Sequence, residues 1–92
     1  MATLISASFL DFAEVGTVRN SKYVRAFGQN LRKLREAKGL TQETLAFKSE
    51  IARSQIIRFE QGERSPTLST ILAISIGLGV EPKKLLDFDF KA

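Results

Sequence analysis

The chain has 92 residues, 43% of them hydrophobic, and a formal net charge of +4, which fits one domain with a single modest core and excludes two. It has neither cysteine nor histidine, so disulfides, thiolate or imidazole metal sites and catalysis by either side chain are excluded, and no cofactor is expected. The basic excess is local: residues 1–20 carry net −1, residues 21–64 carry ten Lys and Arg against five Glu, and residues 65–92 balance three against three.

Residues 1–20 read as an extension with Leu4, Ile5, Phe9, Leu10 and Phe12 as its apolar side chains. Its period is open: Ile5, Ala7 and Phe9 alternate with serines, whereas Ile5, Phe9 and Phe12 also share a helical face. Asp11 interrupts the apolar run before the first positive charge, Arg19, which is the wrong order for a secretory signal. No stretch approaches the ~20 apolar residues of a membrane helix, so a cytoplasmic protein without a membrane partner is expected.

From Ser21 or Lys22 to Lys38, Val24, Phe27, Leu31 and Leu34 recur at steps of three and four, with Arg32, Lys33, Arg35 and Glu36 between them, which predicts a first amphipathic helix. Gly39 suits its C-terminal cap and Lys38 the negative end of its dipole. Thr41 is placed to cap a second helix, although Thr44 three residues on lacks the acid of a full capping box. A third helix is expected from about Ala52 to Gln61, ending at Gly62. Leu45 and Ala46 on the second helix, Ile51 in the turn, and Ile56 and Phe59 on the third can then meet in one core, with Ala46 small enough to let the helices approach. The same spacing turns Arg53, Ser54, Gln55 and Arg58 outward, a set suited to base edges and phosphates.

After the loop Arg64-Ser65-Pro66, Thr67 can cap a fourth helix that carries Leu68, Ile71, Leu72, Ile74 and Leu78 toward the core and closes at Gly79. Glu81 to Leu86 predicts a short fifth helix with Pro82 at its first position. Leu86 to Phe90 then alternates apolar and acidic residues, the period of a strand. Four of the seven phenylalanines lie in the two tails, a composition that predicts packing on something. Asp87 and Asp89 read as a solvated edge.

Leu40-Thr-Gln-Glu-Thr-Leu-Ala, Ile51 and Arg53-Ser-Gln-Ile-Ile-Arg-Phe-Glu-Gln-Gly62, flanked by Leu31-Arg-Lys-Leu-Arg-Glu-Ala-Lys-Gly39, Ser65-Pro66-Thr67-Leu68 and Leu78-Gly79-Val80, together resemble the phage-repressor and Cro-like helix-turn-helix family of transcriptional regulators. The likeness runs from about Phe27 to Leu86. It implies an all-α, five-helix, lambda-repressor-like DNA-binding domain over residues 21–86, with an apolar extension at 1–20 and a tail at 87–92. It implies that Gln42 reaches the DNA backbone or an outer base from a helix N-terminus, and that Arg53, Ser54 and Gln55 approach base edges. Arg58 follows one turn on, Arg64 and Lys48 are candidates for phosphate, and Lys33 is a weaker one. Arg35 and Glu60 correspond to a partly buried structural ion pair.

The sequence departs from the family pattern in three places, at four residues. Glu50 stands where the turn commonly has Gly, Ala52 where a capping Ser, Thr or Asp is usual, and Ala73 and Ile76 occupy a face of helix four, shared with Ser69, that is usually polar. An outward Ile76 asks for cover by the N-terminal segment, the Phe88/Phe90 segment or a second subunit.

The expected function is sequence-specific transcriptional regulation, as a repressor or autoregulator binding an inverted-repeat operator in double-stranded DNA as a homodimer, with helix five and the aromatic tails as the dimer surface. Family roles of suitable length are restriction–modification controllers and antitoxins. The alternatives are an antitoxin-like interaction module whose tails bind a partner protein, and a non-specific nucleic-acid binder. An enzyme fits least, since there is also no Gly-rich phosphate loop and no convincing carboxylate pair.

Overall fold

Helix α1, Ser21–Ala37, opens at Asn20, whose side chain accepts the Tyr23 N–H at 2.9 Å. The computed structural model describes residues 20–91; the expectations placed on residues 1–19 lie outside them. Helices α2, Gln42–Ser49, α3, Arg53–Glu60, and α4, Leu68–Leu78, follow, and then a 3₁₀ helix, Pro82–Leu86. Thr41 and Thr67 cap α2 and α4, each accepting the N–H three residues on, at 3.0 and 3.2 Å. Each such cap typically contributes about 1 kcal/mol.

Among the described residues there are therefore four α-helices and a 3₁₀ helix, the 3₁₀ helix standing where a fifth α-helix was expected. Glu81 offers no side-chain cap, and five residues close too few α-type bonds to hold that geometry. The expected third helix, 52–61, shortens by one residue at each end, because Ala52 and Gln61 are its caps.

Phe27 and Leu31 of α1, Leu45 and Ala46 of α2, Ile56 and Phe59 of α3, Ile74 and Leu78 of α4, and Leu85 form one core. Ile51 packs against it from the turn. Burying a side chain of this size stabilises the fold by roughly 1.5–3 kcal/mol before entropy is subtracted. Two helix-interior glycines set the closest approaches. A Cβ on Gly28 would collide with the Phe59 carbonyl, and one on Gly77 with the Ser49 side chain, so α1 rests on α3 and α4 on α2 at near-backbone contact.

Leu68 and Leu72, expected in the core, are not there: they are 82% and 51% exposed, with Ile76 at 68%. Helix α4 is apolar on nearly all sides, so periodicity alone could not choose its inner face, and Ile71, Ile74 and Leu78 take it.

The alternating tail forms no strand among the described residues. Instead Phe88 and Phe90 fold back onto Tyr23, with ring centroids 5.2 and 4.9 Å away, the second pair edge-to-face. The Asn30 side-chain amide donates to the carbonyls of Lys84 and Leu85, at 3.0 and 2.9 Å, and so ties the 3₁₀ helix to α1.

Candidate nucleic-acid interface

The helix-turn-helix unit is α2, the turn at residues 50–52, and α3. The four α-helices of the described residues end alike, with a left-handed residue followed by an N–H that bonds back five residues: Leu40 to Arg35, Ile51 to Ala46, Glu63 to Arg58, and Val80 to Ser75. The left-handed residue is Gly39, Gly62 and Gly79 in three cases and Glu50, at φ 56°, in the fourth. Glu50 therefore takes the glycine geometry of the family turn and bears its strain. Ala52 gives α3 no side-chain cap. Without that cap, α3 is anchored on one side by burial: Ile56 is 0% exposed and Phe59 3%.

Arg53, Ser54 and Arg58 are exposed, and Ser54 and Arg58 lie one turn apart on the face opposite those two anchors. Gln55 is only half-exposed, as is Ile57. Lys48 on α2 and Arg64 after α3 are exposed as well. None of Lys48, Arg53, Arg58 and Arg64 enters an ion pair among the described residues, so four cations surround the turn and α3 with no carboxylate partner there. Lys33 is set apart from them: it lines a cleft with Phe88 and Asp89, on the side of α1 that carries the C-terminal tail.

Beneath this surface Arg35 and Glu60 form a two-point ion pair. Arg35 Nε donates to Glu60 Oε2 at 2.6 Å and Nη2 to Oε1 at 3.0 Å, while Nη1 donates to the Leu40 carbonyl at 2.8 Å. The side chains are 10% and 4% exposed, so the pair is shielded from salt and solvent. The Glu60 carboxylate, through its hydrogen bond first and its charge second, holds the Arg35 pKa above its ordinary value against the opposing effect of burial. The guanidinium is charged at any working pH.

Gln42 is half-buried at the start of α2, and its Nε2 donates to Glu60 Oε1 at 3.0 Å. Sequence reasoning placed Gln42 at DNA and Glu60 with Arg35, but gave no sign that the two touch. Asn30, Gly28 and Gly77 also went unmarked. The two glycines carried a usable signal, since a glycine within a helix costs ~1 kcal/mol relative to alanine and therefore points to a packing reason.

Comparison with known proteins matches this geometry. The helix-turn-helix family model fits residues 31–85. Control protein C.BamHI of Bacillus amyloliquefaciens is 46% identical over 63 residues, 67% of this chain and 78% of that protein. The crystal structure of the restriction-modification controller protein C.AhdI from Aeromonas hydrophila superposes with a TM-score of 0.66 at 48% identity, covering 67% of this chain and 94% of that one. Wild-type restriction-modification controller protein C.Esp1396I gives a TM-score of 0.66 at 31% identity over 71% of this chain and 86% of its own. This chain belongs to the helix-turn-helix family, and its relatives include the restriction-modification controller proteins.

Proposed function

We propose that the protein is a sequence-specific DNA-binding transcriptional regulator, a controller of a restriction–modification operon that binds an inverted-repeat operator as a homodimer. One observation carries the reading: α3 exposes Arg53, Ser54 and Arg58 while the buried Ile56 and Phe59 anchor the helix to the core. In this reading Arg53, Ser54, Gln55 and Arg58 meet base edges in the major groove, and Lys48 and Arg64 meet phosphates. The unit that does this is residues 21–86, with the tail from residue 87 serving as a strap on α1.

The dimer surface in this reading is α4. Leu68, Leu72 and Ile76, spaced four apart, form one exposed apolar stripe, and Pro82 and Leu86 of the 3₁₀ helix are exposed too. The aromatic tail is a poorer candidate than the sequence suggested, because Phe88 and Phe90 are taken up by Tyr23 of the same chain.

The test is selection of binding sites from a random duplex pool by the purified protein at about 150 mM salt, where purely electrostatic binding is suppressed. The expected result is an enriched inverted repeat with half-site centres about 34 Å apart, one helical turn. Absence of enrichment by well-folded protein overturns sequence-specific recognition. Uniform binding with a steep salt slope would assign a non-specific binder instead.

A further inference from the structure

Three elements meet at Glu60. Its Oε2 is taken by Arg35 Nε, while Oε1 accepts from both Arg35 Nη2 and Gln42 Nε2, each at 3.0 Å. Arg35 in turn holds the carbonyl of Leu40, the residue before the Thr41 cap of α2. The last residue of α3 therefore grips the entry of α2 twice, once through Arg35 and Leu40 and once directly through Gln42.

An ion pair does not require the second grip. A Gln amide nitrogen has two hydrogens, and the bond to Glu60 uses one of them. Gln42 is also the first residue of α2, where helix N–H groups and the dipole favour a phosphate.

We infer that Glu60 is a positioning residue for DNA recognition that acts through Gln42, fixing its amide so that one N–H is committed to Glu60 and the other is held ready for a phosphate oxygen. This rests on the DNA-binding reading above. The advantage is pre-organisation: the Gln42 torsions are set before DNA arrives, and the ordering of one such side chain is equivalent to roughly three- to tenfold in Kd. The same carboxylate fixes the recognition helix against α1, so a single group registers the phosphate contact to the base-reading surface.

The test is a double-mutant cycle in affinity for the duplex enriched in the selection, using the full chain, with Glu60→Met, which removes the acceptor oxygens, and Gln42→Met. Gln42→Met keeps the side-chain length and removes both amide hydrogens. Glu60→Met is expected to cost at least threefold more affinity in the wild-type background than in Gln42→Met. A purely structural role for Glu60 would cost the same in both and would overturn the link to Gln42 alone. A wild-type chain that binds no duplex overturns the DNA-binding reading itself.

A second measurement keeps the inference testable if Glu60→Met unfolds. In the free wild-type protein the Gln42 side-chain amide hydrogens, followed by NMR, are expected to exchange with water more slowly than those of Gln29 and Gln61, both on exposed residues. Equal rates would overturn it.

Discussion

Gly28 of α1 lies directly beneath the Phe59 carbonyl of α3, and no side chain fits between them. Helix propensity alone would favour alanine at this position by about 1 kcal/mol. The collision is with backbone, however, and next to it the Glu60 carbonyl oxygen is 2.9 Å from the added atom, so α3 must move. Gly28→Ala is therefore expected to lower stability by about 1–3 kcal/mol, the usual range for overpacking, despite the better helix former. Urea denaturation checks this; unchanged or higher stability would mean that the helices part at little cost.

Arg35 and Glu60 make a different kind of contact, in which the loss of one partner is worse than the loss of both. With side chains 10% and 4% exposed, Arg35→Ala leaves the Glu60 carboxylate buried with only the Gln42 amide to satisfy it. The expected loss is about 3–5 kcal/mol. A double replacement, Arg35→Leu with Glu60→Leu, should recover much of that. Additive losses in the two single variants and the double, measured by thermal or urea unfolding, would show that the pair does not act as a unit.

These two relationships also show where sequence reasoning reached and where it stopped. The caps were readable because they are local: Thr41, Thr67 and the glycines after α1, α3 and α4 each act within one turn of their own helix. The core of α2 and α3 was readable from period, and the Arg35–Glu60 correspondence from family pattern. The inner face of α4 was not, because Leu68, Leu72 and Ile76 make its outer face as apolar as its inner one. The alternation of Leu86 to Phe90 misled for a related reason. A strand needs a neighbour to pair with, and among the described residues the tail meets Tyr23 rather than another strand. The Gln42–Glu60 bond joins residues 18 apart through the angle between two helices, which residue types do not state.

The turn at Glu50 offers a prediction of gain. Its φ of 56° is the only positive value at a described non-glycine residue, and the Ile51 N–H to Ala46 carbonyl bond at 3.0 Å depends on it. Left-handed geometry costs an ordinary residue roughly 1–2 kcal/mol, part of which glycine gives back through its more flexible unfolded state. Glu50→Gly should thus raise stability by about 0.5–1 kcal/mol. Ala52→Ser, which supplies the missing cap of α3, should add about 1 kcal/mol. Calorimetry of both single variants checks the sign; destabilisation by Glu50→Gly would mean that the Glu50 side chain contributes more than its backbone conformation costs.

The α4 stripe yields the prediction that separates assembly from folding. Ile76 is 68% exposed, so Ile76→Glu removes little from the core of one protomer and should change monomer stability by no more than about 0.5 kcal/mol. In a two-fold interface the same change places two carboxylates in apolar surroundings, because an isologous contact uses one patch twice. Sedimentation should then show a shift from dimer to monomer, and operator affinity should fall steeply, since each half-site would be bound by a single short recognition helix. Leu72→Glu, one turn earlier on the same stripe, should act in the same direction. If both variants remain dimeric the partner surface lies elsewhere, whereas if the wild-type chain is already monomeric at micromolar concentration, any pairing arises only on DNA.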